Sequence, residues 1–315
     1  MSAETTTTER PTYVLGRAEV LAVTSVSPNF VRVTFGGEEL EEFATPGDVF
    51  DARIKLIFPP ASGILPPLNR DTHDWWGSYL AVPEEERGSM RTYSIRDLRV
   101  TDAGTEVDVD FVLHLAPGLT GPASRWASTA EVGTELFLIG PRRGATDHGG
   151  AEYAPGAAPS VVLVGDETAA PAIARILEDA GRDLRGTAFI EVPSSDDILS
   201  IDAPAGVDVH WLARDEGQAH GAQLIPAVLS HLGDAHTNIE VRDVEGEDLL
   251  WETPDYSGLG EDIAANDAPA DRYFWIAGES GVVTTLRRHL VKDLGIDRSQ
   301  VAFMGYWRRG VAMRG

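Results

Sequence analysis

The chain has 315 residues, 43% of them hydrophobic, enough for one large domain or for two ordinary ones that each bury a core. Fifty acidic residues against 26 basic ones give a net charge of −24, which disfavours sequence-independent binding to nucleic acid or to an anionic bilayer. There is no cysteine, which excludes disulfides, thiolate zinc sites, cysteine-ligated iron–sulfur clusters and a cysteine nucleophile.

The leading MSAETTTTERPTY lacks the basic and apolar regions of a signal peptide, and no run of about 18 apolar residues occurs. The expectation is a cytoplasmic protein with no membrane partner. Residues 14–35 alternate apolar and polar side chains in two runs broken by Ser27, Pro28 and Asn29, the pattern of a hairpin. Short β-like runs follow at 51–58, 90–94, 106–115 and 135–139 between Pro- and Gly-rich turns, predicting a small antiparallel barrel or sandwich. Residues 66–88, with Trp75, Trp76 and Glu84 to Glu86, read as a mobile excursion from it.

Residues 147–159 are rich in Gly, Ala and Pro without apolar periodicity and form the linker candidate. Beyond them the strands become continuous apolar runs at 161–164, 188–192, 207–212 and 273–277, with helical segments at 169–180, 222–232 and 282–294 between. That alternation predicts a parallel, doubly wound α/β sheet covered on both faces. The predicted units are a β-barrel over 12–145 and an α/β domain over 158–315.

Four segments carry candidate chemistry. Arg91-Thr92-Tyr93-Ser94-Ile95-Arg96 would place Arg91, Tyr93 and Ile95 on one strand face and Thr92, Ser94 and Arg96 on the other. A ring beside a guanidinium suits a flat anionic ligand, although an exposed strand with scattered charges explains the pattern too. Gly121-Pro122-Ala123-Ser124 reads as a helix start whose amides could meet a pyrophosphate, or as an ordinary first turn with Pro122 in place. Val161 to Pro171 is a strand–turn–helix unit without the three-glycine fingerprint, and Asp166 and Glu167 stand where a pyrophosphate would be cradled. Thr168 is a candidate helix cap, and Glu191 lies where an acid would accept from an adenosine ribose, which would favour NADH. At the C-terminus, Ala277-Gly278-Glu279-Ser280 is a second such junction and residues 303–310 a last strand, in which Tyr306 and Trp307 suit core or interface packing. The eight histidines lack metal-ligand spacing, no GxSxG elbow occurs, and no carboxylate pair stands out, so a hydrolase has no residues to rest on.

Taken together, RTYSIR, the Asp110 to His114 run with GPASRWA, GDETAAPAI, AGES and GYWRRG resemble, in this order, the siderophore-interacting protein family, over residues 14–310. These are FAD-dependent ferric-siderophore reductases of the ferredoxin-reductase-like superfamily. The resemblance implies a two-domain fold with an FAD-binding antiparallel β-barrel followed by an NAD(P)H-binding-like α/β domain. It implies FAD as cofactor and NADH or NADPH as donor, with a reduced ferredoxin as the alternative, and a ferric siderophore as substrate of a monomeric enzyme. Arg91, Thr92, Tyr93 and Ser94 then match the flavin motif, with serine in place of threonine. Asp110, Phe111, Val112, Leu113 and His114 match the strand that follows the FAD, Ala123 and Ser124 the pyrophosphate positions, and Ala277, Gly278 and Glu279 the second-domain junction near the flavin. Lys55, in an early KLxFP-like strand, and Arg308 or Arg309 would attract the anionic chelate. A loop between His114 and Gly121 longer than usual departs from the pattern, as does a long, irregular insertion at 234–271. A rival of another class is a non-enzymatic siderophore-binding or iron-sensing module.

Charge is uneven. Residues 234–271 hold twelve acids against Arg242 alone, whereas 280–315 hold seven bases against Asp293 and Asp297. The acids read as a solvated surface loop and the bases as part of a basic pocket in an acidic shell.

Overall fold

The computed structural model describes residues 11–45, 47–70, 74–114, 120–145, 150–214, 217–234, 239–241, 250–254, 256–257 and 271–310. Strands β1 (Tyr13–Ser27), β2 (Phe30–Gly36), β3 (Arg53–Phe58), β4 (Ser89–Ser94), β5 (Asp97–Thr101), β6 (Gly104–Val112) and β7 (Glu135–Pro141) form one antiparallel sheet in the order β4-β3-β7-β1-β2-β6-β5. The sheet curls on itself, because the chain passes from β4 almost directly into β5 and the Arg96 amide donates to the Asp108 carbonyl at 2.8 Å across that corner. Period-two alternation then sorts the side chains: Val107, Val109 and Phe111 of β6 fill the interior with Phe35, Phe43 and Phe58, while Asp108, Asp110 and Val112 face outward.

Residues 66–88 are better anchored than their sequence suggests. They contain helix α1 (Trp75–Ala81), capped by the Asp74 carboxylate, which accepts from the Gly77 amide at 2.8 Å. Trp75 and Tyr79, four residues apart and so on one helix face, pack on Leu15, Ile57, Met90, Phe137 and Ile139 of the outer sheet surface. A second short helix, α2 (Pro122–Ala127), closes one end of the curled sheet with Trp126 against Phe35 and Phe58.

The second unit alternates strand and helix: β8 (Val161–Gly165), α3 (Ala170–Asp179), β9 (Arg185–Val192), β10 (Gly206–Ala213), α4 (Leu224–His231), β11 (Trp251–Thr253), β12 (Tyr256–Ser257), β13 (Tyr273–Glu279), α5 (Ser280–Arg288) and β14 (Val301–Trp307). Its order is β10-β9-β8-β13-β14-β11-β12, parallel from β10 to β14 and antiparallel beyond. Val161 and Leu163 pack under α3 while Val162 and Val164 pack under α4 and α5, so both faces of β8 are covered and its apolar run is continuous. The 234–271 insertion, expected to be irregular, supplies β11 and β12 to the sheet edge; most of its remainder lies outside the described residues. Among the described residues no helix is long and apolar enough to cross a membrane.

The two units are joined by buried polar contacts as well as by Phe30 and Val112 packed under α3. Asp51, with no exposed surface, accepts from the Glu152 and Tyr153 amides at 3.0 and 2.9 Å and from the Trp275 indole at 2.9 Å. Part of the linker candidate is thereby fixed to the first sheet. Asp179 at the end of α3 accepts from the Val49 and Phe50 amides, Glu178 holds Arg96 through two hydrogen bonds, and Arg175 reaches Asp97. At the hairpin tip Asp197 accepts from Ser27 and from both nitrogens of Asn29.

Asp51→Ala strands three buried donors and is expected to cost about 3–5 kcal/mol, read as a shifted denaturant midpoint. The hydrogen bonds to Asp197 outweigh its burial and hold its carboxyl below the ordinary range. Its contribution is therefore complete above the unfolded aspartate range and is lost as pH falls through the folded value. The stability gap between wild type and Asp197→Asn, measured by urea denaturation, is expected to shrink on acidification.

Candidate functional site

Register places the candidate residues of β3 and β4. Lys55 lies opposite Thr92, and the same cross-strand row continues through Ile139 to Leu15; Arg53 lies opposite Ser94 one row on. Leu15 and Ile139 sit under α1, so Lys55 and Thr92 form an open floor beside that helix on the outer sheet face. On the next row Arg53 stacks over the Trp251 ring at 4.1 Å, and Trp251 lies parallel to Tyr306 with centroids 6.2 Å apart. The floor around Lys55 is thus flanked by the aromatic residues of α1 and by a stack from the second unit. The Lys55 ammonium reaches the Thr92 hydroxyl at 3.4 Å and has no carboxylate within 4 Å among the described residues. Burial, with the Arg53 charge adding to it, holds its pKa below the usual lysine range.

On the opposite face of β4, Tyr93 packs against Phe111 with centroids 4.6 Å apart, and burial pushes its phenol above the ordinary range. Arg91 shares that face. Its guanidinium donates to the Met90 carbonyl, has no acidic partner among the described residues, and is disfavoured as a cation by burial. Most other arginines are paired: Arg32 with Asp110, Arg53 with Glu152, Arg96 with Glu178, Arg99 with Asp108 and Arg214 with Glu167. Ser94 is buried near the Tyr306 hydroxyl, which is itself enclosed and whose ionisation burial opposes.

The C-terminal ends of β8, β9 and β13 hold a compact polar cluster. Asp166 takes the Thr168 amide and hydroxyl on one oxygen at 2.9 and 2.6 Å, and the Glu279 amide and Trp307 indole on the other at 2.7 and 2.8 Å. Glu167 accepts two hydrogen bonds from Arg214 and one each from His114 and His220. Burial alone would raise the Glu167 carboxyl, yet these donors hold it well below the usual glutamate range. Gly278 has φ 141°, and a Cβ there would meet the Asp166 carboxylate at 2.7 Å, so glycine is required where β13 turns into α5. Glu279 caps α5 by accepting from the Val282 amide and also accepts from the Arg309 amide.

Several expectations need correction. Glu191 has no surface for a ribose: it is buried, pairs with Arg214 and accepts from the Gly221, Gln223 and Leu224 amides at the start of α4. Thr168 is not the cap of α3; the Asp166 carbonyl takes the Ala169 and Ala170 amides. The acids of that turn point inward, and the Thr168 amide is consumed, so the turn presents no free acidic face. Asp110 and Val112 face the second unit, Asp110 bound to Arg32 at 2.7 and 2.9 Å, and Phe111 is barrel core, with Leu113 packed against it; of that run only His114 brings a polar side chain to the cluster. The Ser124 hydroxyl donates to the Val112 carbonyl at 2.9 Å and Ala123 is buried, leaving first-turn amides as the donors α2 can offer. The loop after His114 lies largely outside the described residues. The C-terminal bases do not all face one pocket, since Arg287 and Arg298 pair with Glu252 of the insertion. Arg309 is exposed and Arg308 half-buried beyond β14. A cavity of about 330 Å³ between the units is lined by Arg32, Arg96, Asp110, Pro171 and Trp211, but its cations are already paired. Arg214, His220, Arg53 and Trp251 carry no signal in sequence, since nothing in their spacing marks them, and the partners of Glu167 and Tyr306 are set by the fold.

FAD is the group this family of motifs implies, and the residues fit it: a half-buried guanidinium with no acidic partner among the described residues, Tyr93 two residues on, and buried Ser94 beside the enclosed Tyr306 hydroxyl. Residues 19–145 match the siderophore-interacting FAD-binding domain and residues 158–310 the siderophore-interacting protein domain. The chain is 31% identical over 287 residues to the ferric vibriobactin reductase of Vibrio cholerae, covering 90% of this chain and 86% of that protein. It is 28% identical over 292 residues to the NADPH-dependent ferric-chelate reductase of Escherichia coli, covering 91% of each. A crystal structure of a siderophore utilization protein from T. fusca superposes with a TM-score of 0.68 at 29% identity, covering 97% of both chains. A ferredoxin reductase, at 17% identity and a TM-score of 0.54, shares the fold alone. With both of its units matched and these relatives aligned along nearly its whole length, the chain belongs to the siderophore-interacting protein family, built on the ferredoxin-reductase-like fold.

Proposed function

We propose that the protein is an FAD-dependent ferric-siderophore reductase that takes electrons from NADPH or NADH and delivers them to chelated Fe(III). The observation that carries this reading is the pair of cations with no acidic partner among the described residues, on opposite faces of the β3–β4 ribbon, Arg91 beside Tyr93 and Lys55 beside Thr92. In a chain of net charge −24, two half-buried cations left without acids are poised for anionic ligands. Arg91 would pair with cofactor phosphate, Tyr93 and Ser94 would meet the ring system, and Ala277 to Glu279 would border it from the second unit. Lys55, with Arg308 or Arg309, would draw in the chelate.

When bound, FAD supplies the conversion of a two-electron donor into single-electron delivery, and the protein supplies binding, orientation and electrostatics. No general base is needed. Fe(II) is held less firmly by hard oxygen ligands than Fe(III), so reduction releases iron.

The purified protein is expected to show a flavin absorption spectrum that bleaches anaerobically with NADPH or NADH and returns on adding a ferric siderophore. A protein that takes up no flavin on reconstitution would instead be a binding module, and bleaching only by reduced ferredoxin would change the donor. Lys55→Glu is expected to raise KM for an anionic ferric siderophore about tenfold with little change in kcat, because an opposite charge replaces a complementary one at the entrance. An unchanged KM in stopped-flow reoxidation would remove Lys55 from the substrate site.

A further inference from the structure

One interaction of this polar cluster crosses between the units and involves β6, the strand that the resemblance places after the FAD. His114, just beyond β6, donates from Nε2 to Glu167 Oε1 at 3.1 Å, and His220, which precedes α4, donates from Nε2 to the same oxygen at 3.1 Å. Arg214 spans both oxygens of the carboxylate, donating to Oε2 and to the same Oε1, each at 2.8 Å. Glu167 has no exposed surface, whereas the two imidazole side chains keep about a quarter of theirs (27% and 24%). Both rings also lie against Trp307, with centroids at 5.3 and 4.8 Å, and the Trp307 indole is tied to Asp166.

An ionised carboxylate can only accept, so an imidazole bonded to it through Nε2 must carry its hydrogen there. In each neutral ring Nδ1 is then the bare nitrogen. One buried oxygen therefore fixes the tautomer and orientation of two histidines, one from each unit, and both rings lie against Trp307, which Asp166 holds.

We propose that Glu167 is a positioning residue that couples His220 of the second unit to His114 just beyond β6, so that a side chain remote from the Arg91–Ser94 motif governs how tightly the first unit binds FAD. The tautomer assignment stands on the geometry alone. The effect on FAD rests on the function proposed above.

The test uses the full-length, flavin-loaded protein with ¹⁵N-labelled histidine. Both His114 and His220 are expected as Nε2–H tautomers in the wild type, and this assignment is expected to be lost in Glu167→Gln. His220→Asn is expected to weaken FAD binding about tenfold, the scale of a hydrogen bond to a charged group, and to have no further effect in a Glu167→Gln background. Trp307→Phe should leave the imidazole tautomers unchanged. A neutral Nδ1–H form at either histidine, or an FAD affinity indifferent to His220→Asn, would overturn the proposal. If Glu167→Gln does not fold, the wild-type tautomers and the His220→Asn affinity still decide it. If no flavin binds at all, the functional reading fails while the tautomers continue to test the coupling.

Discussion

Asp51 ties together three parts of the chain, its own segment and the two from which it accepts hydrogen bonds. It follows the turn into β3, it receives the Glu152 and Tyr153 amides from the segment joining the units, and it receives the indole of Trp275 at the centre of the parallel sheet. Burial is the larger effect and raises its pKa, and these donors offset only part of that cost, so losing any of them leaves the carboxyl worse placed. The geometry that lets Asp51 be satisfied also sets β3 against β13 and β14. The Lys55 floor, buried Ser94 and the Tyr306 ring are held at one seam by the same register.

The electrostatics divide between charges the fold uses and charges it leaves. Asp110, Glu178, Glu167 and Glu252 each hold an arginine inside or near the seam, where a removed partner would strand a buried charge. Arg91 and Lys55 have no such partner. Their burial opposes their own charge, a cost that an anion paired with either would offset. Net acidity disfavours polyanions at long range, while these two cations leave positive charge locally.

Elements with strong periodicity were legible from sequence: the β1–β2 hairpin, the apolar runs of β8, β9 and β13, and α3. The RTYSIR strand also divides its faces as alternation requires, with Tyr93 inward and Thr92 outward. The helix within 66–88 was not legible, because its evidence is the fit of Trp75 and Tyr79 to a surface built from four distant strands. Glu191 was misread because strand-end position resembles a ribose-binding acid until the start of α4 is seen to need its oxygens. The same holds for the acidic insertion, where Glu252 reads as solvated but is buried against Arg287 and Arg298.

The sequence by itself determined the composition-level exclusions, the two-part architecture and the motif order that marks the family, because each depends on residue type and local spacing. Tertiary structure alone decided which charges remain unpaired. Pairing is a property of distances between residues far apart in the chain: His114 and Glu167 are 53 positions apart and Asp51 and Trp275 are 224 apart. Whether a carboxylate is a ligand, a cap or a counter-ion depends on which donors the fold brings within about 3 Å of it. Only the folded chain shows that Asp166, Glu167 and Glu191 are spent internally and that Lys55 and Arg91 are not.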